Sequence, residues 1–282
     1  MTEKTFDTTK GSIHYWTNGL AGKARTLVLL PGLTADHRLF EKQTEVFADE
    51  FGLLTWDAPG HAMSRPFSLD FTLADKADWL GAILDREGIE SPILIGQSMG
   101  GYVSQCFLER FPGRAAGFIS IDSAPLQRSY VTAAEIWLLK RTAPIYRFYP
   151  WEQLKSAGIQ GCAETPYGRA LMAQFVGTYT RTEYIELAAN GYRMLAEAME
   201  QDLPYEISCP ALLVCGEKDK AASTKRYNRA WAKKSGIPIR WIEGAGHNSN
   251  TDRPEEVNAI IRDFVLHLPD RAKGDSYVPL HP

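Results

Sequence analysis

Three polar residues far apart in the chain have the types and surroundings of a nucleophile, an acid and a base: Ser98, Asp219 and His247. Ser98 is the centre of Gly96-Gln97-Ser98-Met99-Gly100, a G-x-S-x-G run. That spacing suits a sharp strand-to-helix turn with the serine in a strained backbone conformation. The residues two before and two after must be small, or they collide across the turn. The turn lifts the hydroxyl clear of its strand, and the N–H of Met99, opening the next helix, faces the place where an oxyanion would develop. A serine needs a base to be nucleophilic at neutral pH. The base in turn needs a carboxylate to hold its tautomer and stabilise the imidazolium. Gly244-Ala-Gly-His247-Asn-Ser249 and Gly216-Glu-Lys-Asp219 supply those types in the order Ser, Asp, His.

Such residues meet only if strand ends bring them together. Pro92-Ile-Leu-Ile95 before the elbow reads as a buried strand, and Tyr102–Phe111 after it as a helix. A chance serine in a glycine-rich turn is the competing reading, and these flanks weigh against it. Cys215 and Ile242 end two further apolar runs, Ala211–Cys215 and Ile239–Ile242, so Asp219 and His247 also follow strands. Upstream, Thr5–Thr9 and Ser12–Thr17 alternate around Lys10-Gly11 as a hairpin. Arg25–Leu30 is an apolar run expected of a strand buried on both faces, and Phe51–Trp56 and Ala116–Ile121 follow the same pattern. Helical patterns cover Arg38–Asp49, Thr72–Glu87, Ser223–Lys234 and Pro254–Leu268. Alternating strand and helix predicts an α/β fold with a doubly wound, mostly parallel sheet. Sites in such sheets lie at the carboxyl ends of the strands.

From Pro125 to Tyr205 the alternation stops, and helices at Thr132–Arg141, Gly168–Tyr179 and Arg181–Met199 predict an inserted all-helical cap. The expected division is a core of 1–124 and 206–270, a cap of 125–205 and a polar tail of 271–282. The cap stretch holds 12 of the chain's 31 aromatic residues, enough to wall a water-poor pocket. Trp137, Tyr146, Phe175 and Tyr179 are its candidate pocket residues, with His37 at the substrate entrance.

With 31 basic and 34 acidic residues, no basic surface points to nucleic acid. No apolar run approaches the roughly 20 residues of a membrane span, and the N-terminus lacks a signal-peptide core. Cys106, Cys162, Cys209 and Cys215 show no C-x-x-C spacing and read as reduced thiols in a cytoplasmic protein. No H-E-x-x-H is present, so neither metal nor cofactor is expected. The expected partner is a small-molecule substrate, and the chain a monomer or small homo-oligomer.

Four motifs together carry a resemblance: Leu30-Pro-Gly-Leu33, Asp57-Ala-Pro-Gly-His-Ala-Met-Ser64, the elbow, and the Asp219/His247 pair. Over about Thr5–Leu268 the chain resembles the α/β-hydrolase superfamily, in its esterase-like group with a helical cap. The resemblance implies that Ser98 is the nucleophile, His247 the base and then acid, and Asp219 the orienting acid. It also implies an oxyanion hole made by the backbone N–H groups of Leu33 and Met99. Many relatives have His-Gly where this chain has Pro31-Gly32, a change that spares the backbone donor. Asp122, ending the strand after the elbow helix, is the alternative acid, because some members place theirs there. Asp57 reads as a turn residue.

The activity so implied is hydrolysis of a carboxylic ester of a small or medium apolar or aromatic substrate through an acyl-enzyme. Lactone hydrolysis, carbon–carbon cleavage and aminopeptidase action use the same apparatus. The last would want cap carboxylates, of which Glu135, Glu152, Glu164, Glu183 and Glu186 are available. A ligand-binding receptor that keeps the fold with little turnover is the alternative from another class. Epoxide hydrolases and dehalogenases put Asp at the elbow, where this chain has Ser98.

Overall fold

The structure is a computed structural model that describes residues 1–269 apart from Ala21 and Ala222. The tail expected at 271–282 lies outside the described residues. The chain opens with the hairpin β1 (Thr2–Thr8) and β2 (Gly11–Thr17), paired antiparallel. It continues with β3 (Thr26–Leu30), α1 (Glu41–Phe47), β4 (Gly52–Trp56), α2 (Leu73–Arg86), β5 (Pro92–Gln97), α3 (Met99–Arg110) and β6 (Gly117–Ile121). Five helices follow: α4 (Ala133–Leu139), α5 (Thr142–Phe148), α6 (Trp151–Cys162), α7 (Pro166–Gly177) and α8 (Arg181–Gln201). The sheet then resumes with β7 (Ala211–Gly216), α9 (Thr224–Ser235), β8 (Ile239–Ile242), α10 (Ser249–Asp252) and α11 (Pro254–Leu266).

The eight strands form one sheet in the order β1-β2-β4-β3-β5-β6-β7-β8, parallel from β4 through β8. Alternate residues of the central strands feed two separate cores, which is why those strands read as unbroken apolar runs. Leu94, Val28 and Phe118 face one layer, packed on α2, α3 and α9 through Leu80, Phe107 and Trp231. Ile93, Ile95 and Leu29 face the other, packed on α1 and α11 through Phe47 and Ile261. The sheet is therefore doubly wound, as the alternation of elements requires.

The helical stretch is richer than its sequence pattern suggested. α4, α7 and α8 are each announced by a capping threonine: Thr132, Thr165 and Thr180. α5 and α6 were not expected. Their N-caps are Arg141 and Pro150, and neither makes a side-chain capping bond, so the usual start signal is missing. Among the described residues no helix is long and apolar enough to cross a membrane.

Candidate functional site

The elbow is built as the glycine spacing demands. Ser98 sits at φ 50°, ψ −116°, a conformation non-glycine residues rarely adopt. A Cβ at Gly96 would overlap the Gly100 backbone, and one at Gly100 would overlap the Leu30 carbonyl. Only glycine at both positions lets β5 turn directly into α3. The Ser98 N–H donates to Ile121 O at 2.9 Å, tying the turn to β6.

His247 arrives from the loop after β8. Its Nε2 is 2.8 Å from Ser98 Oγ, and its Nδ1 is 3.0 Å from Asp219 Oδ2. Asp219 is buried in the turn after β7, where its Oδ1 also accepts from Ala221 N at 2.7 Å. An ionised Asp219 calls for a proton on Nδ1, which leaves Nε2 free to accept from the serine hydroxyl. Burial alone would push the His247 pKa down. The charge and hydrogen bond of Asp219, with the charge of Asp122, outweigh it and hold the imidazole above its ordinary value.

Asp122 is also buried here, but its oxygens point elsewhere. They accept from Gly216 N at 2.7 Å, Ser249 N at 2.8 Å and Ser249 Oγ at 2.6 Å. Burial and the neighbouring Asp219 charge push its pKa up to about 7. It braces the two loops that carry Asp219 and His247, and it is Asp219 that faces the imidazole. Leu33 lines the same cavity as Ser98, and Met99 opens α3 directly after it. Gly32 packs on the Gln97 side chain, leaving no room for a Cβ there.

Ser98 and His247 open into a cavity of about 430 Å³ between the sheet edge and the helical insertion. Tyr146 lines it, as expected from sequence. The other aromatic candidates lie off it. Trp137 is half exposed, with the Arg141 guanidinium 4.0 Å above its ring. Phe175 is buried in the α1–α11 core. Tyr179 is buried against Ala62 and Arg65, its hydroxyl accepting from Ala62 N at 3.4 Å. His37 is held by Asp57 at 2.8 Å and stacked on Trp16 at 3.7 Å. Each found a nearer partner than the cavity.

Tyr184, Ala188 and Tyr192 line it instead, with Ala157, Gly161 and Cys162 opposite. The first set recurs at four-residue intervals, and Ala157 and Gly161 of the second are also four apart, so each marks one helix face. That periodicity is the signal that could have singled them out. Lys220 also lines the cavity and pairs with Glu164 Oε1 at 2.8 Å. None of the five insertion carboxylates considered for an amine subsite lines it.

Two sets of ligand atoms lie within 4.8 Å of one another, Asp36/His37/Asp57 and Asp122/Cys215/Asp219. Their carboxylates are already taken by donors. Asp57 accepts from His37 N and Met63 N, Asp36 from Arg38, and the remaining pair as described above.

Comparison with known proteins agrees with this architecture. The chain is 23% identical over 267 residues to an (E)-2-((N-methylformamido)methylene)succinate hydrolase of Acinetobacter baylyi, covering 91% of this chain and 95% of that one. It superimposes on a thermophilic esterase of Thermogutta terrifontis with TM-score 0.73 at 22% identity, covering 95% and 99% of the two chains. It superimposes on the enol-lactonase of Burkholderia xenovorans with TM-score 0.75 at 22% identity, covering 94% and 100%. At that identity the likeness of structure speaks for the fold. The family model for the alpha/beta hydrolase family matches residues 27–260, and the chain, a hydrolase by descent, belongs to that family.

Proposed function

We propose that the chain hydrolyses carboxylic esters through an acyl-enzyme on Ser98. The observation that carries this reading is the continuous relay Ser98 Oγ, His247 Nε2, His247 Nδ1, Asp219 Oδ2, with steps of 2.8 and 3.0 Å. Ser98 Oγ attacks the carbonyl carbon while its proton passes to His247 Nε2. Asp219 stabilises the imidazolium. The Leu33 and Met99 N–H groups hold the oxyanion, where one such donor is worth about 3 kcal/mol. Collapse expels the alcohol, which takes the proton from His247. Water then attacks the acyl group with His247 again as base, and the acid leaves. No step calls for a metal or cofactor.

Residues 125–205 act as a cap domain over this centre. The apolar walls and volume suit a small or medium acyl group. A lactone is a cyclic ester and fits the same steps. Hydrolysis of a chain-length series of p-nitrophenyl esters by wild type and Ser98→Ala tests the reading. Turnover lost in the folded variant supports it. Turnover retained there ends it. No turnover by either protein favours a binding role for the cavity.

A further inference from the structure

The loop that carries His247 is tied on one side to the helical insertion and on the other to Asp252 of α10. The N–H of Asn248, the next residue, donates to the Cys162 carbonyl at the end of α6 at 2.8 Å. The N–H of Gly246, the preceding residue, donates to Asp252 Oδ2 at 2.8 Å. Asp252 belongs to α10 and is 4% exposed. Its other donors all come from the turn between α6 and α7: Glu164 N at 2.9 Å, Thr165 N at 2.9 Å and Thr165 Oγ1 at 2.8 Å. Gly168 and Gly246 both pack close against its carboxylate. One carboxylate thus accepts from the base loop and from the insertion together. The same turn reaches the acid loop, since Glu164 pairs with Lys220, the residue after Asp219.

We infer that Asp252 is a positioning residue that locks the α6–α7 turn of the cap to the His247 loop, so that the base is in register with Ser98 and Asp219 only while the cap is seated. This rests on the reading of His247 as general base. A buried carboxylate saturated by backbone N–H donors fixes geometry on every side of itself. Here the fixed groups are Gly246 and the cap segment 164–165. Misplacement of a catalytic group by about 1 Å can cost on the order of a hundredfold. Unseating the turn removes the Cys162 and Asp252 bonds together, because both acceptors are tied to the same four residues.

The experiment compares Asp252→Asn and Thr165→Val with wild type on a p-nitrophenyl ester, following kcat, KM, the pH profile of kcat/KM and thermal stability. Asn replaces one acceptor oxygen with a donor facing N–H groups. Thr165→Val removes only the hydroxyl bond to Asp252 and the α7 cap. The charged or titratable groups that act on His247 or share its cavity are Asp219, Asp122, Cys162, Lys220, Tyr146, Tyr149, Tyr184 and Tyr192, all unchanged in these variants; the one charge that Asp252→Asn removes is that of Asp252 itself, which Thr165→Val keeps. The expected result is a ten- to hundredfold fall in kcat for Asp252→Asn with KM within about twofold. The acidic limb of kcat/KM moves to lower pH as His247 loosens from Asp219, and Thr165→Val moves it the same way by less. If Asp252→Asn does not fold, the limb in Thr165→Val decides. A folded variant with wild-type kcat and limb overturns the inference, as does a loss confined to KM. Wild type without Ser98-dependent turnover defeats the underlying reading instead.

Discussion

Gln97, the residue just before Ser98, donates through Nε2 to the His247 carbonyl at 2.8 Å. The same Nε2 reaches Asn248 Oδ1 at 3.0 Å. The Ser98 turn and the His247 loop, 149 residues apart in the chain, are thus joined by the side chain adjoining Ser98. Gln97→Leu leaves the buried His247 carbonyl without this donor. The expected cost is about 1–3 kcal/mol of stability by urea unfolding. Ester turnover should fall about tenfold or more through displacement of the imidazole. Wild-type stability and rate would show that the join is incidental.

The two buried acids make a paired test. Asp219→Asn removes the acceptor that holds the His247 tautomer, and kcat should fall by about four orders of magnitude. Asp122→Asn keeps an acceptor for Ser249 or Gly216 and should cost far less. Steady-state kinetics of the two variants decides, and the reverse ranking would transfer the orienting role to Asp122.

The pH dependence follows from the raised His247 value. The base must be neutral to accept the serine proton, so kcat/KM should be lost as pH falls through a pKa above the ordinary 6.5 or so. Asp122→Asn removes one of the charges that raise it, and its acidic limb should lie lower than in wild type. A pH–rate profile of both proteins checks the order.

Lys76 lies on α2, 1% exposed, and burial alone pushes its ammonium down to about 7. A folded-state value below the unfolded 10.5 means that native stability is penalised in full below pH 7. The penalty fades as pH rises toward 10.5. Lys76→Met keeps most of the volume without the charge. It should add roughly 2–5 kcal/mol at pH 6 and little at pH 10, read by urea unfolding at both. An equal effect at the two pH values would contradict the linkage.

Much of the core was legible because its signals are local. Arg25–Leu30 and Pro92–Ile95 announce strands by unbroken apolar character. Gly96 and Gly100 announce the elbow through a steric requirement with one solution. Asp219 and His247 could be placed because each follows such a strand. The insertion was legible only in part. α5 and α6 start at residues without a side-chain cap, so nothing local marks them. The pocket aromatics were the least legible. Composition showed that the insertion is aromatic, but whether a ring meets the cavity depends on packing partners far away in sequence. Phe175 went to the α1–α11 core and Tyr179 to Arg65, while Tyr184 and Tyr192 took the cavity face of α8. Asp252 gave no sign of its role, since all its donors but Gly246 N come from residues 87 and 88 positions away.

The insertion enters after β6 and leaves before β7, a place where a chain can exchange one block of helices for another and keep its sheet. The bonds from Cys162, Glu164 and Thr165 to the loop around His247 restrict that freedom. A chimera that imports a foreign helical block must bring a turn able to satisfy Asp252 and Asn248, or carry its own loop after β8 as well. The two segments, well separated in sequence, therefore have to be exchanged together.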